Sequence, residues 1–164
     1  MLIRKTRLGD IEVDDEKIIT FPYGLLGFED MRRYVLLSPN PMVPFRWLQS
    51  IENPGLAFVV VNPLVFHPRY DMKIPTAQLS VIECGSPEEI AVLVIVTIPE
   101  DPAEMTANLA GPLVINTKKR LGVQVVLGDE TYSTEHSIVK EFQSLSNRPF
   151  ESVKDNLEPI ATNY

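Results

Sequence analysis

Apolar positions are densest at residues 91–98, AVLVIVTI, where only Thr97 is polar. Val92, Val94, Ile95, Val96 and Ile98 are β-branched and suit a pleated, packed surface. The run is far shorter than the ~20 apolar residues a membrane helix needs. Both side-chain faces are apolar, so the pattern predicts a central strand covered on both sides. Pro99 has no N–H to donate and closes it. Glu100, Asp101, Pro102 and Glu104 then make an acidic turn. Met105–Leu109 leads through Gly111-Pro112 into a second strand, Leu113–Asn116. So short a connection favours antiparallel neighbours.

The flanking sequence repeats this rhythm of short apolar runs and turns. Leu2–Arg7 reads as a strand, and Leu8-Gly9-Asp10 as a hairpin turn with Gly9 free to take positive φ. Ile11 and Val13 alternate with acids; Asp10, Glu12, Asp14, Asp15 and Glu16 suit a solvated sheet edge or a surface for cations. Ile18–Phe21 is a short strand stopped by Pro22. Tyr23–Phe28, YGLLGF, is a loop whose large apolar side chains either plug a barrel end or form a patch for a partner. One helical turn over Glu29–Tyr34 and a strand over Tyr34–Leu37 follow, and then a proline-rich loop at Pro39-Asn40-Pro41 and Pro44.

Phe45–Ile51 and Leu56–Val61 form a predicted hairpin beside residues 91–98, with Trp47 in the core. Pro54 and Gly55 fit the centre of a type II turn between them. Asn62–Pro75, with Phe66, His67 and Tyr70, has weak patterning and is a candidate recognition loop. Thr76–Leu79 fits no single pattern. Ser86-Pro87-Glu88-Glu89 has the form of a one-turn helix start, with Ser86 as N-cap and Glu89 at the capping-box position. Lys118–Gly122 reads as a basic turn and Val123–Leu127 as a strand. After His136 the period changes: Ile138, Val139, Phe142 and Leu145 make a helical stripe, and residues 150–164 read as a mobile polar tail. The predicted fold class is all-β: a single-domain antiparallel barrel-like or sandwich fold, with one or two short helices and a C-terminal helix or tail. The organisation expected is a β domain over 1–136 and an extension over 137–164, partly helical and then mobile.

Composition narrows this further. Fourteen of the 164 residues are proline, twelve of them at or before Pro112, which disfavours long helices there. The net charge is −7 and the sequence pI about 4.8, which argues against nucleic acid as the direct partner and is compatible with a basic protein partner, or equally with excess acid that keeps the protein soluble. Cys84 is the only cysteine, so no disulfide framework or cysteine-based metal cluster is expected, which fits a reducing compartment. Residues 1–20 contain no long apolar segment, so neither a signal peptide nor an anchor is expected. There is no HExxH, CxxC, GxSxG, P-loop or GxGxxG motif, and His67 and His136 lie far apart. Cys84 reads as a small buried apolar residue rather than a nucleophile. No catalytic residue, cofactor or metal is predicted.

The runs IITFPYGLLGFEDMRRYVLL (18–37), PFRWLQSIENPGLAFVVVNP (44–63) and AVLVIVTIPEDPAEMTANLAGPLVIN (91–116), followed by QVVL (124–127), resemble the FliW flagellar assembly factor family. The resemblance spans about residues 1–136 and does not reach the tail. It implies a non-enzymatic cytoplasmic regulator with an all-β, barrel-like fold, expected to be monomeric when free. Proteins of this kind bind flagellin before export. Once freed, they bind CsrA, a basic RNA-binding dimer, and relieve its repression of flagellin mRNA translation, acting away from the RNA-binding surface.

Loop position singles out Phe28, Phe66 and Tyr70, with Met105 and Asn108, as candidate apolar and polar anchors for these partners. Glu29, Asp71, Glu100, Asp101 and Glu104 are the candidate acids. Core packing competes with the anchor role, most strongly for the aromatics. The alternative reading is a small-molecule-binding barrel or an unrecognised hydrolase built on His67 and a nearby carboxylate. Direct RNA binding through Lys118, Lys119 and Arg120 is a weaker alternative, since three basic residues on a turn suit a solvated hairpin tip.

Overall fold

Two-sided apolar strands need a layer on each face, and this chain supplies one by closing a sheet on itself. The structure, a computed structural model, describes residues 1–38, 44–128 and 131–146. The predicted loop at Pro39-Asn40-Pro41 and the 150–164 tail lie outside the described residues. The strands are β1 (Leu2–Thr6), β2 (Gly9–Glu12), β3 (Ile19–Thr20), β4 (Arg33–Leu37), β5 (Arg46–Ser50) and β6 (Ala57–Val61). They continue as β7 (Ile90–Thr97), β8 (Thr106–Ala107), β9 (Leu113–Asn116), β10 (Leu121–Gln124) and β11 (His136–Ser137). Helix α1 spans Thr76–Val81 and α2 Val139–Ser146.

Strands β7-β6-β5-β4-β3-β10-β9 are hydrogen-bonded in that order, and β9 returns to β7, closing a barrel. All these pairings are antiparallel except β3 with β10, which meet in parallel at Thr20 and Leu121. One edge of β7 serves two partners. Ile90–Leu93 pairs with β9, and Val96-Thr97 pairs with β8, which in turn carries β11. Between them Asn108 N–H donates to Ile95 O (2.9 Å) and keeps the ladder continuous. The expected hairpin is present, β5 paired with β6, and it lies beside β7 through β6.

Side-chain parity follows from the ladder. Ile19, Tyr34, Leu48, Val60, Leu93, Leu113 and Ile115 point inward and fill the barrel with Phe21 and Leu25. The alternate residues Trp47, Val59, Val61, Val94 and Val96 point outward, under a second layer from residues 66–72, 105–109 and α2. Ile82, following α1, covers Val114 and Val123; the β1–β2 hairpin, a separate two-stranded sheet, covers Val35 with Ile3 and Val13. Both faces of β7 are therefore covered, with Leu93, Val94 and Val96 buried and Thr97 exposed at its end. The buried Asn116 is satisfied: its Nδ2 donates to Ile82 O (2.9 Å), and its Oδ1 accepts from the Lys118 and Lys119 N–H groups.

Several local expectations change. Glu29–Tyr34 contains no helix; successive turns bring Phe28 N–H to Leu25 O and Met31 N–H to Phe28 O, and β4 begins at Arg33. The Asn53–Leu56 turn closes with Leu56 N–H on Asn53 O (3.0 Å), but Gly55 does not take the positive φ of a type II turn. Ser86 precedes a 3-10 turn, Pro87–Glu89, without capping it; its hydroxyl meets the Glu88 carboxylate instead. Gly122, read as part of a turn, lies inside β10, where an added Cβ would stand 2.5 Å from the Phe21 ring.

Gly122→Ala is expected to destabilise the fold by about 1–3 kcal/mol, the usual cost of overpacking a filled core. Denaturant unfolding of the purified variant measures it. Tyr34 gives a second prediction. Burial first, and Glu52 second, push its phenol up from 10.0 to about 12. A raised folded-state value favours the protonated form, so its contribution is fully present below pH 10 and is lost as pH rises toward 12. Unfolding free energy should fall across that window, and less steeply in Tyr34→Phe.

Candidate functional site

Strand alternation sets which loops meet. The 21–32 loop after β3, the 51–56 turn after β5 and the 98–112 connection after β7 leave the barrel at one end. Gln124 at the end of β10 ties two of them together: its Oε1 accepts from Leu26 N–H (2.9 Å), and its Nε2 donates to Gly111 O (3.0 Å).

The loop after Pro22 both plugs and presents. Gly24 and Gly27 take φ of +67° and +83°, and a Cβ on Gly24 would lie 2.6 Å from the Glu29 backbone. These turns send Leu25 into the barrel while Tyr23 and Leu26 stay 67% and 59% exposed. Phe28 is 39% exposed and lies edge-on to Phe58 at 5.2 Å. Glu29 is exposed, and its carboxylate accepts from Gly27 N–H (3.1 Å). A groove of about 440 Å³ runs from Tyr23 and Leu26 to Ala77 and Val81 beside α1.

The acidic connection opens at the same end. Asp101 accepts from Ala103 N–H (3.0 Å) and starts a 3-10 turn, Pro102–Glu104. Glu100, Asp101 and Glu104 are exposed. Asn108 is half-buried, and its side chain accepts from Ala110 N–H (3.1 Å). Asp71 is exposed, and its backbone is held at both ends by Tyr132, whose hydroxyl accepts from Asp71 N–H and donates to Asp71 O.

Phe66, Tyr70 and Met105 lie elsewhere. Phe66 and Met105 are buried in the outer core beside Val94 and Phe142, so they offer no surface to a partner in this conformation. Tyr70 is buried with them, and its hydroxyl donates to Leu109 O (2.7 Å). Burial, then Tyr132, push that phenol up. The physical reason is the two-sided sheet: its outer face needs a cover, and these loops supply the apolar residues.

His67 meets His136 and Glu141, both distant from it in sequence, beside this outer core. His67 Nδ1 lies 2.9 Å from Glu141 Oε2, and His136 Nε2 hydrogen-bonds to Glu141 Oε1. Sequence reasoning named His67 and missed Glu141 because 74 residues separate them and Glu141 belongs to no spaced motif. Among the described residues, buried side chains such as Tyr34, Leu48 and Leu93 fill the barrel interior. Cys84 is half-buried beside Ile82, and its thiol donates to Ser86 O (3.3 Å). Lys118 and Lys119 sit at an exposed hairpin tip, where Lys118 pairs with Glu89 (3.6 Å) and Arg120 donates to Lys17 O (2.7 Å).

The family model for FliW protein matches residues 2–138. The chain belongs to the FliW family. It is similar to the flagellar assembly factor FliW of Alkaliphilus metalliredigens, at 41% identity over 149 residues, covering 90% of this chain and 92% of the relative. The flagellar assembly factor FliW of Geobacter sulfurreducens is 42% identical over 136 residues, covering 83% and 85%. A crystal structure of the flagellar assembly factor FliW superposes with a TM-score of 0.78 at 35% identity, covering 84% of this chain and 96% of that one. The predicted all-β, barrel-like class therefore holds for this FliW-family chain. No helix among the described residues is long and apolar enough to cross a membrane.

Proposed function

We propose that this chain is a flagellar assembly factor that works as a partner switch in the cytoplasm. It binds flagellin before export; when flagellin leaves, the freed monomer binds CsrA and relieves its repression of flagellin synthesis. It acts by binding alone, without catalysis or cofactor. The observation that best supports this reading is the make-up of one barrel end, where exposed Tyr23, Leu26 and Phe28 share an end with Glu29, Glu100, Asp101 and Glu104. Apolar anchors inside a charged rim are what a specific protein interface needs. The net charge of −7 favours encounter with a basic partner. Phe28, Glu29, Asp71, Glu100, Asp101, Glu104 and Asn108 are the proposed contact residues, with Phe66, Tyr70 and Met105 holding the loops from behind.

Calorimetric titration with the organism's own CsrA should give heat that disappears when the protein is first saturated with flagellin. Simultaneous binding of both would overturn mutual exclusion, and no heat with either would overturn the switch. Charge reversal of Glu100, Asp101 and Glu104 together should weaken CsrA binding about 10-fold at low salt, or ~1.4 kcal/mol. The loss should shrink as salt is added. Unchanged affinity at low salt would take these acids out of the site.

A further inference from the structure

We propose that His67, His136 and Glu141 form a binding site for a divalent first-row transition ion, with zinc as the ion the donors suit best. The argument begins with convergence. His67 lies in the loop after a 3-10 turn at Pro63–Val65, His136 in β11, and Glu141 in α2. His67 is 74 residues from Glu141 in sequence, yet the donor atoms of His67, His136 and Glu141 all lie within 4.8 Å of one another. Both imidazoles turn a ring nitrogen toward the same carboxylate, one to each oxygen.

The distances require little rearrangement. Zinc bonds of about 2.0–2.2 Å in tetrahedral geometry space neighbouring donors by roughly 3.3 Å. The 2.9 Å contact from His67 to Glu141 has to open by a few tenths of an ångström. The two histidine nitrogens have to close by at most about 1.5 Å from the 4.8 Å limit, within reach of side-chain rotation.

The donor types select the ion class. Imidazole suits zinc and its first-row neighbours, whereas magnesium and calcium take sites built from oxygen. Three protein donors leave a fourth position for water. The surroundings hold the rings in place. Phe66 stacks on His136 with centroids 6.3 Å apart, and Tyr132 meets the edge of His67 at 6.3 Å. The donor side chains keep 26–29% of their surface, which leaves a path for the ion.

Such an ion would fasten α2 to the recognition loop and to β11. Glu141 lies past residues 2–138, the stretch the family model matches, so the staple joins the family barrel to the chain that follows it.

The test uses the full, untagged chain, stripped with chelator and titrated with zinc chloride and, separately, cobalt chloride. The expected result is one equivalent of zinc, a rise in thermal midpoint with zinc, and the visible absorption of four-coordinate cobalt. Glu141→Gln and His136→Ala should each weaken zinc binding at least 10-fold, while Cys84→Ser leaves it unchanged. Circular dichroism of the zinc-free variants checks their folding. The cobalt spectrum of the unaltered chain decides the matter even where a variant fails to fold. Absence of four-coordinate cobalt absorption, or zinc bound equally well by both folded site variants, overturns the proposal.

Discussion

Barrel closure through β7 is the constraint on which the other features rest. An eight-residue strand offers one hydrogen-bonding edge to β6 and shares the other between β9 and β8. This leaves the strand without an open edge for unwanted pairing. It also commits both faces of β7 to burial. Leu93 points into the barrel, while Val94 and Val96 point out and need a cover of their own. Burying such a side chain stabilises by roughly 1.5–3 kcal/mol, so an uncovered outer face would forfeit much of the advantage of closure.

That demand explains where the irregular segments go. The 62–75 loop and the Met105–Leu109 stretch look like recognition loops, because they are irregular and rich in large side chains. In the fold their large residues are the lid of the outer core. Phe66 packs against Phe142 at 5.4 Å, and Tyr70 satisfies its hydroxyl on the Leu109 carbonyl. Residues of the same type after Pro22 behave differently because glycines set the local path. Gly24 and Gly27 adopt positive φ, and the Leu26 amide is held by Gln124, so the Leu26 side chain is held facing outward. An organised, exposed apolar loop is a feature that core formation alone does not require.

The legible parts of the sequence were those with a clean period. The two-faced run at 91–98, the Phe45–Val61 hairpin and the Gly9 turn are settled by pattern and by backbone freedom. The start of β10 was not, because Gly122 reads as a turn residue while its real role is to make room for Phe21. Loop exposure was illegible for a related reason. Without a period there is no parity, and nothing in the residues Phe28 and Phe66 says that one faces water and the other the core. The histidine–glutamate cluster was hidden by topology. His136 pairs with Ala107, α2 follows at once, and only that sequence of turns carries Glu141 back to His67.

The same topology makes the start of the C-terminal segment part of the barrel's cover. Ile138 N–H reaches Met105 O, Phe142 N–H reaches Ile138 O, and both side chains join the cluster containing Val94 and Trp47. The Met105 backbone that receives Ile138 N–H directly follows Glu104 of the acidic connection. The contacts of His67 and His136 with Glu141 add directional bonds between α2, the 62–75 loop and β11 to the apolar packing of Phe66 on Phe142. Apolar packing tolerates small shifts, whereas two hydrogen bonds converging on one carboxylate define one geometry. The fold thus holds the start of α2 by apolar packing and directional polar contacts together.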